Sequence, residues 1–335
     1  MSELARRTLT NMIASAWTVQ ALYVAATLGV ADRLTKGPKS VEDLAHETST
    51  NPESLYRLLR ALASIGVFTE GHHGFDLTPM AEYLRSDSEG SVRAIALMHG
   101  APWHWRAWEA SLQAVRSGGT GFAHVNGAEF FDYLHENTLA ARTFDEAMSA
   151  VSHLQSRPLL RAYDFDGVNH LVDVGGGQGV LLSVILKAYP TMTGTLYDLP
   201  ALLESSRRRF EDARLGNRWK VSGGDFLEEV PEGDGYLLAH VLHDWDDERA
   251  LTILRNCRRS ISEGGRLVIL EAVLPPGNVA SSGKLLDLEM MICFGGRERT
   301  EPEYAQLLEA SGFRMTQLQQ VSPENSVIEA QPIYR

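Results

Sequence analysis

The sequence predicts an α/β protein in which a Rossmann-like, doubly wound parallel sheet follows a smaller, mainly helical domain of winged-helix outline. Three observations carry this. From Asp164 onwards short apolar runs alternate with helical patterns, the order that parallel strands and crossover helices produce. Gly175, Gly176, Gly177 and Gly179 stand between an apolar run, Leu171–Val174, and an apolar-faced segment, Val180–Ala188, so strand, glycine turn and helix follow directly. Upstream, two helical patterns and a turn-punctuated apolar pair give helix, turn, helix and hairpin. With 335 residues the chain has room for about two domains. The expected division is a winged-helix-like domain at 1–100, a helical linker at 101–163 and the sheet domain at 164–335.

Met12–Val30 carries no charge and follows Arg6-Arg7, a superficial likeness to an export signal or a membrane span. Asn11, Ser15, Thr18, Gln20 and Thr27 interrupt it, while Met12, Ala16, Val19, Tyr23 and Ala26 recur at helical spacing. A helix packed in a subunit contact is expected there, not a membrane segment. Ser40–Glu47 opens with a capping serine and acids in its first turn. A second helix starts at Asn51-Pro52-Glu53; Leu55, Leu58, Leu59, Leu62 and Ile65 share one face, and Gly66 stops it. Val67–Thr69, the His72-His73-Gly74 turn and Phe75–Leu77 read as the hairpin. This outline grips DNA in other settings. Here a net charge of −12, and Glu53 beside Arg57 and Arg60, argue against a nucleic-acid partner. Only Cys257 and Cys293 are present, so there is neither a disulfide framework nor a cysteine metal pattern. No metal is expected, and a reducing cytoplasm suits the composition.

Trp103, Trp105 and Trp108 surround His104, either as a core cluster or as an aromatic wall for a flat substrate. Phe122, Phe130, Phe131 and Tyr133 carry the same two readings. Phe144–Leu154 reads as a helix with Phe144, Met148 and Val151 on one side, where Met148 is core unless that face meets a ligand.

The glycine turn places backbone N–H groups and a positive helix end at the carboxyl edge of the sheet, a seat for a nucleotide-like ligand. Gly194–Tyr197 reads as the next strand and ends in Asp198, whose carboxylate can accept hydrogen bonds from both hydroxyls of a ribose. A dinucleotide pattern starting at Gly175 and Gly177 would put its third glycine on Val180, where close helix–strand packing asks for Gly or Ala. S-adenosylmethionine has the ribose and no pyrophosphate, so it suits the loop. A nicotinamide dinucleotide would need Val180 to be tolerated.

A helix at Ala201–Arg214 and a strand near Trp219–Val221 lead to Gly224-Asp225-Phe226. Its carboxylate and ring suit the amino group and face of an adenine, or else an N-cap and a core Phe. Tyr236–Leu242 reads as a strand with His243-Asp244 at its carboxyl end, the ligand side of such sheets. His240 reads as a packing residue. Asp246, Asp247 and Glu248 open the next helix, where acids oppose the helix dipole. Arg266–Leu270 is a strand ending in Glu271, and Glu298 lies in the glycine-bearing loop GGRERT before a helix at Glu301–Ala310. One histidine with two candidate acids is a general-base arrangement, since a carboxylate fixes the tautomer and favours the imidazolium.

VDVGGGQG, YDLP, GGDF, VLHDWDDE, LEAVLP and GGRERT, in this order and spacing, resemble the S-adenosylmethionine-dependent O-methyltransferases of the caffeate and acetylserotonin type, whose bacterial members act on aromatic natural products. The resemblance covers essentially the whole chain. It implies a homodimer through the N-terminal domain, S-adenosyl-L-methionine as cofactor, S-adenosyl-L-homocysteine as product and a small aromatic substrate. It places Gly175, Asp198, Asp225, Phe226 and Ser152 at the cofactor, His243 as the catalytic base, and Glu271 and Glu298 as its flanking acids; Asp244 falls to supporting structure. Trp103, Trp105, Phe122, Met148, Met290 and Phe294 are expected along the substrate pocket. One departure stands out: Ala239 occupies a position, four residues before the histidine, where the family often has Lys or Arg near the cofactor. Relatives of this fold that decarboxylate or hydroxylate, and a metabolite-binding winged-helix regulator, are the alternatives.

Overall fold

The alternation of buried strands and amphipathic helices closes the C-terminal part of the chain into one seven-stranded sheet. The computed structural model describes residues 3–200 and 203–334, with every side chain among them except those of Glu204, Ser205 and Asp212. A hairpin of β1 (Phe68–Gly71) and β2 (Gly74–Leu77) comes first. The main sheet holds β3 (His170–Val174), β4 (Thr193–Asp198), β5 (Trp219–Gly223), β6 (Gly233–Ala239) and β7 (Ile261–Glu271). A short parallel pair, β8 (Val273–Leu274) with β9 (Arg299–Thr300), stands apart, and β10 (Phe313–Gln320) and β11 (Ser326–Pro332) complete the large sheet. Its order is β10-β11-β7-β6-β3-β4-β5.

β3 to β7 are parallel, as the alternation requires, but β10 and β11 are antiparallel, so the sheet is mixed and not parallel throughout. The reason is chain length. The connection 321–325 makes a hairpin, whereas a parallel partner needs a crossover of about a dozen residues. Successive side chains leave a strand on opposite faces, and the parallel strands are apolar on both. Val172, Leu238 and Ile269 thus join Ile253, Leu254 and Leu308 in one core. Leu171, Leu237 and Val268 join Leu182, Ile185 and Phe210 in the other.

Two compact units are present: Met1–Arg106 with Asn137–Val151, and Ala107–Glu136 with Ser152–Arg335. The first has its own core, in which Leu44, Leu55, Leu59, Leu62, Phe68 and Phe75 pack together. Its helices start where caps stand. Ser40 accepts the Asp43 N–H at 3.1 Å ahead of Val41–Thr48, and Asn51 accepts the Ser54 N–H at 2.9 Å ahead of Pro52–Ser64. The helix–helix–hairpin order is therefore present. The first helix, Glu3–Thr27, buries Ala25 and Ala26 and leaves Leu9, Met12, Ile13 and Trp17 exposed. Among the described residues no helix is long and apolar enough to cross a membrane.

Among the boundaries that differ from expectation, two lie beside the carboxyl edge of the sheet. The helix after Asp198 is described over Leu203–Asp212, with 201 and 202 outside the described residues. β6 ends at Ala239 instead of Leu242, because His240 takes a left-handed backbone (φ 55°) and the next amides turn away from the ladder.

Candidate active site

Sheet order locates the crevice. The chain runs outward from β3 through β4 to β5, then returns to the other side of β3 for β6 and β7, so the winding reverses between β3 and β6. Ligands of such sheets bind at the carboxyl ends beside that reversal. The loop leaving β3 holds Gly175–Gly179, and Gly179 (φ 73°) precedes the helix Val180–Ala188. Gly176 has no alternative: a Cβ there would lie 2.4 Å from Asp173 Oδ2 and 2.6 Å from Leu196 Cδ1. At the end of β4, Asp198 Oδ2 accepts the Gly177 N–H at 2.7 Å, and Oδ1 accepts the Leu199 N–H at 2.7 Å. After β5, Asp225 Oδ1 accepts the Leu227 N–H at 2.8 Å, so part of this carboxylate serves as a turn cap. Phe226 lies against Gly175, 3.5 Å from where a Cβ on that glycine would stand.

Asp173 gives no distinct signal in the sequence, where it reads as one polar residue inside a buried strand. Its carboxylate is fully buried, and neither oxygen makes a hydrogen bond of ordinary geometry, although the Leu182 backbone favours the charged form. Burial, and then the neighbouring charge of Asp198, push its pKa up to about 7. Ser152 sits half-buried on the helix Thr138–Ala162. Three residues further on, Gln155 Oε1 lies 2.9 Å from His240 Nε2, joining that helix to the end of β6. Burial, then the charge of His243, lower the His240 pKa to about 3, so this imidazole is neutral and donates to Gln155.

His243 lies in a single 3-10 turn, Leu242–Asp244, and is buried. Its Nδ1 is 2.6 Å from Glu298 Oε1. Asp244 Oδ1 stands 3.6 Å from Nε2, beyond hydrogen-bonding distance. Burial opposes the imidazolium, but Glu298, then Asp244, outweigh it and push the pKa up to about 10. Glu271 is placed differently from its expected role as a second acid on the ring. Its Oε1 accepts the backbone N–H groups of Val241, Leu242 and His243 at 3.2, 2.7 and 3.3 Å, and Oε2 accepts the Tyr304 hydroxyl. Glu271 reaches the imidazole through its field and through the backbone.

The aromatic candidates divide between the two units. In the second, Phe122 is fully buried against Phe130 and Tyr133, with centroids 4.9 and 5.3 Å away. Phe294, in the π-helical turn Met290–Phe294, packs on Phe130 at 4.1 Å, and Met290 is buried. Phe131 stacks on Trp245 at 5.6 Å, and Trp245 meets Phe226 edge-on at 6.0 Å. An aromatic string thus runs from Phe226 to Phe294; the tryptophan of the HDW segment and Phe131 link it. Trp103, Trp105 and Met148 belong to the first unit, where each is half-buried and Trp103 meets His104 edge-on.

Comparison with known proteins identifies the family. The family described as the O-methyltransferase domain matches residues 108–314, and the O-methyltransferase dimerisation domain matches 10–87. The phenazine O-methyltransferase PhzM of Lysobacter antibioticus is 42% identical over 97% of this chain and 96% of its own length. The aclacinomycin 10-hydroxylase RdmB of Streptomyces purpurascens is 38% identical over 89% of this chain and 82% of its own. Among solved structures, the neocarzinostatin-biosynthesis O-methyltransferase NcsB1, in complex with S-adenosylmethionine and 2-hydroxy-5-methyl naphthoic acid, superposes with a TM-score of 0.80 at 33% identity, covering 94% of this chain and 96% of that one.

Proposed function

Because the chain belongs to the S-adenosylmethionine-dependent O-methyltransferase family, we propose that it methylates a hydroxyl of a small aromatic natural product, with His243 as general base. One observation carries the assignment of the base: a buried imidazole at the carboxyl end of β6 whose Nδ1 is held by Glu298 at 2.6 Å, which leaves Nε2 to take a proton.

The crevice fits the cofactor. A buried carboxylate, Asp173, suits a ligand carrying ammonium and sulfonium charge, and Gly176, where a Cβ would collide with that carboxylate and with Leu196, lets the loop backbone lie close against it. Gly175 and Asp198 would hold the ribose side, Asp225 and Phe226 the adenine, and Ser152 the methionyl end. When bound, the cofactor supplies a methyl group already activated on sulfur and leaves as neutral S-adenosyl-L-homocysteine. The acceptor is the harder partner, because a phenol with a pKa of about 10 is mostly protonated at neutral pH. His243 takes that proton, and Glu298 holds the Nδ1–H tautomer and stabilises the imidazolium that results. Burial keeps water from competing as a proton donor. Met290, Phe294 and the string through Phe131 and Trp245 offer faces to a flat acceptor. In this reading residues 101–163 supply Phe122 and Ser152, and 164–335 hold the cofactor and the base. Turnover of methyl-labelled S-adenosylmethionine against a panel of hydroxylated aromatics tests it. Binding without consumption on every acceptor would favour the non-methylating chemistry of the hydroxylase relative.

Asp198→Ala should weaken binding of S-adenosylhomocysteine by about two orders of magnitude, since charged hydrogen bonds are worth about 1.5–3 kcal/mol each. Titration calorimetry checks this, and unaltered affinity removes Asp198 from the ribose. Residues 1–100 would supply a homodimer contact through the apolar face of Glu3–Thr27, where Trp17 is 75% exposed. Trp17→Asp should then sediment as a monomer where the unaltered protein sediments as a dimer.

A further inference from the structure

The turn that carries His243 cannot hold itself. Its own bonds are two long ones, Asp244 N–H to the Val241 carbonyl and Trp245 N–H to the Leu242 carbonyl, both 3.3 Å. Groups from outside grip it on both sides. On the amide side three successive N–H groups converge on Glu271 Oε1, while the Tyr304 hydroxyl binds the other oxygen. On the carbonyl side the Arg299 fork reaches Leu242 O through Nη1 and Trp245 O through Nη2, both at 3.0 Å. Arg299 is anchored in turn on Asp247 Oδ1, at 2.9 Å from Nε and 2.8 Å from Nη2. The carbonyl of His243 itself accepts the Arg297 N–H at 2.8 Å, and the loop approaches so closely that a Cβ on Gly296 would fall 2.0 Å from that oxygen.

We propose that Arg299 and Tyr304 are positioning residues of this reaction: Arg299 directly, and Tyr304 through Glu271, clamp Val241–Trp245 so that His243 keeps its contact with Glu298. The charges suit the turn. An anion sits at its N–H end and a cation at its carbonyl end, the placement that a helical turn's dipole favours. Both residues are costly to bury, Arg299 being 1% exposed and Tyr304 fully enclosed, and a buried guanidinium is kept only where its hydrogen bonds are satisfied. Four groups with titratable or charged side chains face the imidazole besides its partner Glu298, namely Asp244, Glu271, His240 and, through the turn, Arg299. Loss of the clamp changes all these distances together.

The inference rests on His243 as the base, and the experiment separates the two. Full-length Tyr304→Phe, Arg299→Lys and Asp247→Asn proteins, the last altered at a half-exposed side chain, are labelled with nitrogen-15 histidine. The His243 ring is assigned by its loss in His243→Gln, and S-adenosylhomocysteine binding and turnover on a hydroxyphenazine are followed in parallel. In the variants the His243 ring is expected to titrate at lower pH than in the unaltered protein, with cofactor affinity retained. The kcat should fall by about tenfold or more, as displacements of order 1 Å do in positioned sites, with KM little changed. Asp247→Asn should show the same changes in smaller measure. An unmoved His243 titration in all three variants overturns the clamp. Full turnover by His243→Gln would remove the base assignment but leave the titration as a test of the clamp.

Discussion

Replacing His243 by alanine should lower turnover by about 10²–10⁴-fold, the range over which a positioned general base contributes, and leave cofactor affinity where it was. The two effects separate because the groups do. The residues assigned to the cofactor stand at the ends of β3, β4 and β5 or lie on the helix Thr138–Ala162, whereas the imidazole stands on the turn after β6 with Nδ1 turned to Glu298. The loss should shrink for acceptors already ionised at the assay pH, which need no base. Alanine also strips its partner from Glu298, a carboxylate only 2% exposed and so costly to leave unpaired. His243→Gln is the companion variant, since its amide fills part of the space without accepting a proton at neutral pH. Single-turnover transfer from labelled S-adenosylmethionine, with calorimetry on S-adenosylhomocysteine, reads both quantities. Unchanged transfer by either variant would take His243 out of the base's role.

What the sequence discloses of this site follows from how each residue acts. Glycines between an apolar strand and an apolar helix are local signals, and so is an acid at a strand end; Gly175, Gly177 and Asp198 stand together in the structure for that reason. The five parallel strands β3 to β7 were equally legible, because their alternation with helices is read over tens of residues. The end of β6 was not. Three amides leave the ladder there for the carboxylate of Glu271, which comes from the adjacent strand and some thirty positions later. The same long-range bond explains why Glu271, an acid near the histidine in any sequence reading, contacts its backbone and not its ring. Asp173 was hidden by the opposite effect, a polar residue in a run otherwise suited to a buried strand. Arg299 and Tyr304 look like a charged loop residue and one apolar helix position until the fold brings them to the His243 turn.

Glu298→Gln should move the acid limb of kcat/KM downward by as much as the pair's coupling allows. The direction follows from which charge is removed. In the folded protein burial disfavours the His243 cation, yet the Glu298 carboxylate at 2.6 Å, with Asp244 behind it, outweighs burial and pushes the pKa up to about 10. A glutamine keeps the shape and discards the charge, so the imidazole falls toward its ordinary value of about 6.5 or below it. Only a neutral ring accepts the phenol's proton. The unaltered enzyme should therefore gain kcat/KM across the neutral range and level off only toward about pH 10, whereas the variant levels off near or below neutrality. The acceptor's own ionisation is common to both curves and drops out of the comparison. The variant's plateau should be lower, because its ring is the weaker base and no carboxylate fixes the tautomer. Stability obeys the same linkage. A folded-state pKa raised above the unfolded one stabilises the native protein fully below about pH 6.5, and that contribution is lost as pH rises through the folded value. Thermal melts of the unaltered protein should lose this increment between neutrality and about pH 10, and those of Glu298→Gln should lack it. Coincident acid limbs in the two proteins would mean that Glu298 does not set the proton affinity of the base, whatever the distance between them.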